Sequence, residues 1–264
     1  MVRVCYCADD YGLNPAISSG IIELVAQHRL HATSCMTQAH DWFQAAHHLK
    51  PFLSTIDIGL HLNFTHIFDE HTVAFPLNTL MQKAWLHRLD RTQLRESIRE
   101  QWQRFTDALG KAPDFIDGHQ HIHQFPVIRE VLIEFLIEQN FKGWVRNLQH
   151  SFSAPHHQFK TQMLMLLGSK ALHRLCVQAN IRQNTCFAGI YDFKEKDYAQ
   201  LNQSWLAQAQ DGLLIMCHPA QQSMPNTDSI HPAREREYQY LASEQFLDDC
   251  NKYHITLGPI GKEQ

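Results

Sequence analysis

Between Asp117 and His123 the chain reads Asp-Gly-His-Gln-His-Ile-His, behind the apolar lead-in Phe115-Ile116. Carboxylates and imidazoles are the side chains that bind divalent metals and move protons near neutral pH. Read as a strand end, with side chains alternating, the run sends Asp117, His119, His121 and His123 to one face. Four metal-capable groups on a strand face are costly to bury without partners. In a chain with 19 histidines a solvated patch is one reading. A wall of a metal site is the other, and it requires partners from elsewhere.

Such partners recur behind apolar segments. Asp9 and Asp10 follow residues 2–8, His61 closes 55–62, Arg146 ends 143–147, and His218 closes 212–219. If each segment is a strand, these are C-terminal strand ends, where parallel α/β folds place their chemistry. One aspartate with two histidines is a workable facial set for a divalent ion with open positions. Of two adjacent aspartates only one turns easily toward that ion, which leaves the other free to act as a base. Strand geometry alone does not rank His119 above His121 or His123. Among the aromatics Trp42, Phe64, Phe68, Trp85, Phe125 and Trp144, the pair Phe64 and Phe68 has the best claim to contact a ligand. Both fall in an aperiodic stretch, 64–80, directly after His61.

The elements that must position these residues alternate. Strands are expected at 2–8, 33–37, 55–62, 115–123, 143–147, 185–190, 212–219 and 254–257. Helices are expected from Asn14-Pro15 (an N-cap followed by a proline at the first helical position), at 41–49, at 91–109 closed by Gly110, at 126–140, 161–179, 196–210 and 234–250. Loops are expected at 9–12, at 150–160 with His156 and His157, and at 220–231. Alternation of this kind predicts an α/β fold with a parallel sheet. A distorted TIM-like (β/α) barrel, a single domain over residues 1–264, is its natural closed form. An open doubly wound sheet is the runner-up, and no Gly-x-Gly-x-x-Gly turn follows the first strand.

Composition narrows the function classes. The 264 residues are 44 % hydrophobic with a net charge of −4, enough for one large core and without a basic face for nucleic acid. No apolar run is long enough to span a bilayer. The opening residues read as a strand and not as a signal peptide. Seven scattered cysteines, an odd number, fit a reducing cytoplasm better than a disulfide framework.

Four blocks together resemble the YdjC-like carbohydrate deacetylases, including the diacetylchitobiose and hopanoid-biosynthesis types. They are Ala8-Asp9-Asp10-Tyr11-Gly12, Gly59-Leu60-His61-Leu62-Asn63-Phe64-Thr65, the Asp117–His123 run, and Cys217-His218-Pro219. The stretch from Asp228 to Leu241, with Arg234, Glu235 and Glu237, is similar to the family's C-terminal pattern. Tyr11 stands where the family usually has Phe, and Ala220 where it often has Gly. The resemblance implies hydrolysis of an N-acetyl group from an amino sugar, with one divalent metal, Mg²⁺ ahead of Zn²⁺. It implies Asp10, His61 and His119 as metal ligands, Asp9 as general base and His218 as general acid. Arg146, His121, His123, Asn63 and Phe64 would then orient the site or touch the substrate, and a homodimer is a family expectation. Two competing readings are a metal phosphoesterase or amidohydrolase on a similar barrel, and a non-catalytic carbohydrate-binding protein.

Overall fold

A computed structural model describes residues 1–154, 157–221 and 228–262. The expected feature at His156 and the centre of the 220–231 loop lie outside the described residues. The strands are β1 (Val2–Tyr11), β2 (Ala32–Cys35), β3 (Asp57–Leu62), β4 (Phe115–Gly118), β5 (Trp144–Val145), β6 (Arg182–Gln183), β7 (Cys186–Ala188), β8 (Leu213–Cys217) and β9 (Ile255–Leu257). The helices are α1 (Pro15–Ala26), α2 (Trp42–Leu49), α3 (Leu77–Trp85), α4 (Arg91–Leu109), α5 (Ile128–Glu138), α6 (Gln158–Leu166), α7 (Ser169–Gln178), α8 (Tyr198–Leu206), α9 (His231–Ala242) and α10 (Glu244–Lys252).

All the strand pairings are parallel, in the order β6-β5-β4-β3-β2-β1-β8-β7, with β9 paired to the first residues of β1. The sheet therefore curls almost into a barrel, as the sequence predicts. Its seam lies between β6 and β7, which no described ladder joins. There the chain segment after β5 lines β7 instead: Phe187 N–H donates to the His150 carbonyl at 3.0 Å, and Phe152 N–H to the Phe187 carbonyl at 2.8 Å.

Strand alternation divides the core. Val4, Tyr6 and Ala8 of β1, Ile58, Leu60 and Leu62 of β3, and Leu213, Ile215 and Cys217 of β8 pack outward against the helices. Cys5, Cys7, Phe115, Trp144, Leu214 and Met216 form a separate inner cluster, in which Phe115 and Trp144 stack with ring centroids 4.3 Å apart. Extending the inner set by two residues on each strand reaches Asp9, Asp117, Arg146 and His218. His61 joins them on β3. The same period of two that packs the barrel lumen thus aims the polar row into its mouth.

Local chemistry sets the helix ends. Asn14 Oδ1 accepts the Ile17 N–H at 3.0 Å ahead of Pro15, and α4 runs from the Asp90 cap to Gly110 in the left-handed region. Five expectations need correction. The 115–123 strand stops at Gly118, and residues His119–Gln124 form a 3-10 turn with Gln120 (φ 55°) and His121 (φ 60°) left-handed. The 161–179 helix is two helices, broken at Gly168, whose φ is 120°. The 234–250 helix is also two: Ser243 is extended and its hydroxyl caps α10 by accepting the Phe246 N–H. Finally, the aperiodic 64–80 stretch holds the start of α3, and Asp9 and Asp10 belong to β1 and not to a loop.

Candidate active site

The two aspartates open the site through a break in strand regularity. Neighbouring strand residues point to opposite faces, so Asp10 should face the helices. The register of β1 against β2 shifts between Ala8 and Tyr11, and Asp10 takes φ 68°. This bulge re-aims Asp10 into the mouth beside Asp9. Both carboxylates are almost fully buried.

Asp10 divides its two oxygens. Oδ1 lies 3.0 Å from His119 Nδ1 and 3.5 Å from His61 Nε2. Oδ2 accepts Arg234 Nη2 at 2.6 Å, and Arg234 Nε donates to Asp228 at 2.6 Å. Burial alone would raise the Asp10 carboxyl, but Arg234 and then His119 outweigh it and hold it well below its ordinary value.

His61 and Asp117 are opposite one another in the β3–β4 register, so their side chains meet on one face. His61 Nδ1 sits 2.6 Å from Asp117 Oδ1, and the Ser34 hydroxyl bonds both. Burial pulls His61 down, but the Asp117 and Asp9 carboxylates prevail and carry it up to about 10. The bond at Nδ1 fixes the ring and turns Nε2 toward Asp10. A carboxylate behind a ligating histidine is the usual support of a metal ligand. Asp10 Oδ1, His61 Nε2 and His119 Nδ1 lie within 4.8 Å of one another. One carboxylate and two imidazoles facing each other across that gap fit a divalent ion.

A second cluster, Cys7, Asp9 and Asp117, is equally compact, but the Arg146 guanidinium fills it. Nη1 reaches Asp9 Oδ2 at 2.7 Å. Nη2 reaches Asp9 Oδ1 at 2.6 Å, Asp117 Oδ2 at 2.6 Å and Cys7 Sγ at 3.2 Å. Arg146 is fully buried and is not among the residues that line the cleft above it.

His218 ends β8 with Nε2 4.0 Å from Asp9 Oδ2. Burial lowers its pKa to about 4, so the ring rests as neutral imidazole. Its backbone N–H donates to Glu237 Oε2, and Glu237 Oε1 accepts the Tyr191 hydroxyl. Burial pushes Glu237 up to about 7. The ring of Phe193 stands edge-on to His218, with centroids 5.3 Å apart.

The left-handed turn after Gly118 separates the three histidines that strand reading put on one face. His119 faces Asp10. His121 turns toward Phe187, 5.9 Å between ring centroids, and burial followed by the nearby Arg146 holds it well below its ordinary value. His123 is buried, with Nε2 3.0 Å from the Arg146 carbonyl, and burial takes it down to about 4.

A cleft of about 680 Å³ opens over these groups. Asp9, Asp10, His61, His119, His121 and His218 line it. Asn63 does not: its amide bonds Gln38 and the His66 carbonyl, and its Oδ1 accepts the Thr65 and His66 N–H groups. It shapes the turn that presents Thr65 and His66 to the cleft. Phe64 is sealed in the core and Phe68 packs against it, so neither aromatic named for ligand contact reaches the cleft. The aromatic lining is Tyr191 and Phe193, with Lys160 beside them. No period or spacing marks those residues in the sequence. Arg234 and Glu237 carried only a C-terminal pattern, and their partners lie on other elements.

The sequence model of the family described as YdjC-like protein matches residues 3–252. A chitooligosaccharide deacetylase of Yersinia pestis is 27 % identical over 225 residues, covering 81 % of this chain and 79 % of that protein. Among solved structures, an Enterococcus faecalis protein named for cellobiose-phosphate cleavage superposes with a TM-score of 0.68 at 18 % identity, covering 98 % of this chain and 97 % of the other. A peptidoglycan N-acetylglucosamine deacetylase follows with a TM-score of 0.56 at 14 % identity, over 98 % and 86 %. At those identities the solved structures establish the shared fold, and the match over nearly the whole sequence places this chain in the YdjC-like protein family.

Proposed function

We propose that the protein is a metal-dependent carbohydrate deacetylase that hydrolyses an N-acetyl group on an amino sugar. The observation that carries this reading is the meeting of Asp10 Oδ1, His61 Nε2 and His119 Nδ1 at the floor of a cleft that Asp9 and His218 also line. The name of the Yersinia relative supports the substrate class.

A divalent ion held by Asp10, His61 and His119 would polarise the acetyl carbonyl and acidify water. Imidazole donors suit Zn²⁺-class ions, whereas Mg²⁺ prefers an all-oxygen octahedron, so we rank a Zn²⁺-class ion above Mg²⁺ here. Asp9 is the proton acceptor: Arg146 grips it from behind, and Oδ2 remains near His218. His218 delivers the proton to the departing amine, which leaves poorly unless protonated. Because His218 rests neutral, its proton arrives during turnover, and Asp9 can pass on the one it takes. Occupation of the Cys7-Asp9-Asp117 cluster by Arg146 disfavours a second metal there, and with it a two-metal phosphoesterase.

The test is acetate release from a panel of N-acetylated mono- and oligosaccharides with Zn²⁺, Co²⁺, Mn²⁺ or Mg²⁺ added in turn. Asp9→Asn should keep its metal and lose turnover by ~10²–10⁴-fold. Absence of acetate with every sugar and ion, or phosphatase activity in its place, would overturn the assignment.

A further inference from the structure

Glu237 is fully buried in α9, away from the metal ligands. A buried carboxylate is costly unless its oxygens are satisfied. Here each oxygen takes one bond, and the two bonds lead to different elements: the backbone N–H of His218 at the end of β8, and the hydroxyl of Tyr191 in the cleft wall. The His218 imidazole carries Nε2, 4.0 Å from Asp9, and among the described residues its Nδ1 has no hydrogen-bond partner. Among the described residues the ring is held by packing, with Phe193 edge-on to it. The backbone anchor at Glu237 therefore sets the main-chain position from which the His218 ring reaches into the site.

We infer that Glu237 is a positioning residue, which sets His218 by accepting its backbone N–H and holds Tyr191 against the same anchor. This rests on the reading of His218 as the proton donor. The role is geometric and needs no charge. A tyrosine hydroxyl both donates and accepts, so an uncharged group of the same length at 237 keeps both bonds: its carbonyl oxygen takes the His218 N–H, and its donor goes to the Tyr191 oxygen. The groups facing Glu237 are consistent with this tolerance. They are Tyr191 from the β7–α8 segment, Tyr198 from α8, Cys217 from β8 and His218 directly after it, Asp9 from β1, and Arg234 on its own helix. Arg234 spends its side chain on Asp10 and Asp228, so among the described residues no cation pairs with Glu237.

Two substitutions separate length from charge. Glu237→Gln keeps the length and loses the charge. Glu237→Asp keeps the charge, is one methylene shorter, and withdraws from the His218 N–H. Steady-state acetate release, metal content and the His218 ring resonances would be measured on both. The expected result is that E237Q keeps kcat within about threefold of the wild type. E237D should lose at least about tenfold in kcat, with KM and metal stoichiometry unchanged and the His218 ring signals shifted. Wild-type kcat in E237D, a loss in E237Q equal to that in E237D, or a loss carried by KM or by metal content would overturn the inference. Inactivity of the wild type on every acetylated sugar overturns the proposed function instead, whereas the ring signals still report on the anchor.

Discussion

Asp117 is the residue whose role most clearly follows from its neighbours. It stands opposite His61 in the β3–β4 register, bonds His61 Nδ1 at 2.6 Å, and takes Arg146 on its other oxygen at 2.6 Å. One carboxylate thus fixes the ring of the proposed ligand His61 and the position of the guanidinium that holds Asp9. Asp117→Asn should weaken metal binding ~10–100-fold, read by titration calorimetry on the chelated protein; affinity equal to wild type would remove Asp117 from the support of the site. Arg146→Met attacks the same network from the other side. It strands Asp9 as a buried carboxylate without a cation and leaves Asp117 only His61, and removing one member of a buried ionic group costs ~3–5 kcal/mol. Urea unfolding monitored by circular dichroism should show that loss. At this scale the sequence was partly legible. Ionisable residues behind apolar segments led to Asp9, Asp10, His61, His119, Arg146 and His218, which all meet at one mouth. The oxygen of Asp10 that belongs to Arg234, 224 positions away, left no local trace, and neither did the Glu237 bonds to Tyr191 and His218.

Elements carry the difference between the expected and the observed histidine row. An apolar lead-in followed by alternating histidines reads as a strand, because a period of two is the only signal available. The chain instead turns at Gly118 through two non-glycine left-handed residues, Gln120 and His121, a conformation that costs free energy and is not encoded by residue type alone. Tertiary contacts hold it. Gln124 Nε2 donates to the Leu164 carbonyl at 2.9 Å, and the Gln124 carbonyl accepts Arg129 at 3.1 Å. Gly168 closes against that same carbonyl: a Cβ there would lie 2.1 Å from the Gln124 oxygen, on a backbone with φ 120°. The α6–α7 break is therefore not only a glycine interruption; it makes room for the turn that carries His119. Gly168→Ala should cost ~1–3 kcal/mol from the backbone conformation alone, with the steric clash in addition. It should also lower metal affinity, because the 119–124 turn must shift. A variant destabilised in urea but unchanged in metal binding would show that the break and the turn are independent.

Across the whole molecule the buried histidines make stability depend on pH in a direction set by their number. Burial lowers His31, His123 and His218 to about 4 from 6.5. Between those values the unfolded chain binds protons that the folded one refuses, so stability falls as pH falls from 6.5 toward 4. For a fully buried histidine such a drop corresponds to at most ~3 kcal/mol. Glu237 opposes the trend. Its carboxyl rises from 4.5 to about 7, so the folded state holds the extra proton across that window and its contribution grows as pH falls. His121 is lowered in the same way and Asp57 is raised like Glu237, so the histidines outnumber the raised carboxyls and leave acid as the destabilising direction, although these groups sit in separate places: His31 precedes β2, His121 and His123 lie within the 3-10 turn, and His218 and Glu237 form one pair at the site. Urea midpoints of the chelated protein should therefore decrease steadily from pH 6.5 to pH 4.5. His123→Phe, which removes one refused proton while keeping a ring of similar size in the core, should flatten that slope. A midpoint that rises on acidification would mean that the raised carboxyls of Glu237 and Asp57 outweigh the histidines, and Glu237→Gln would then weaken that rise.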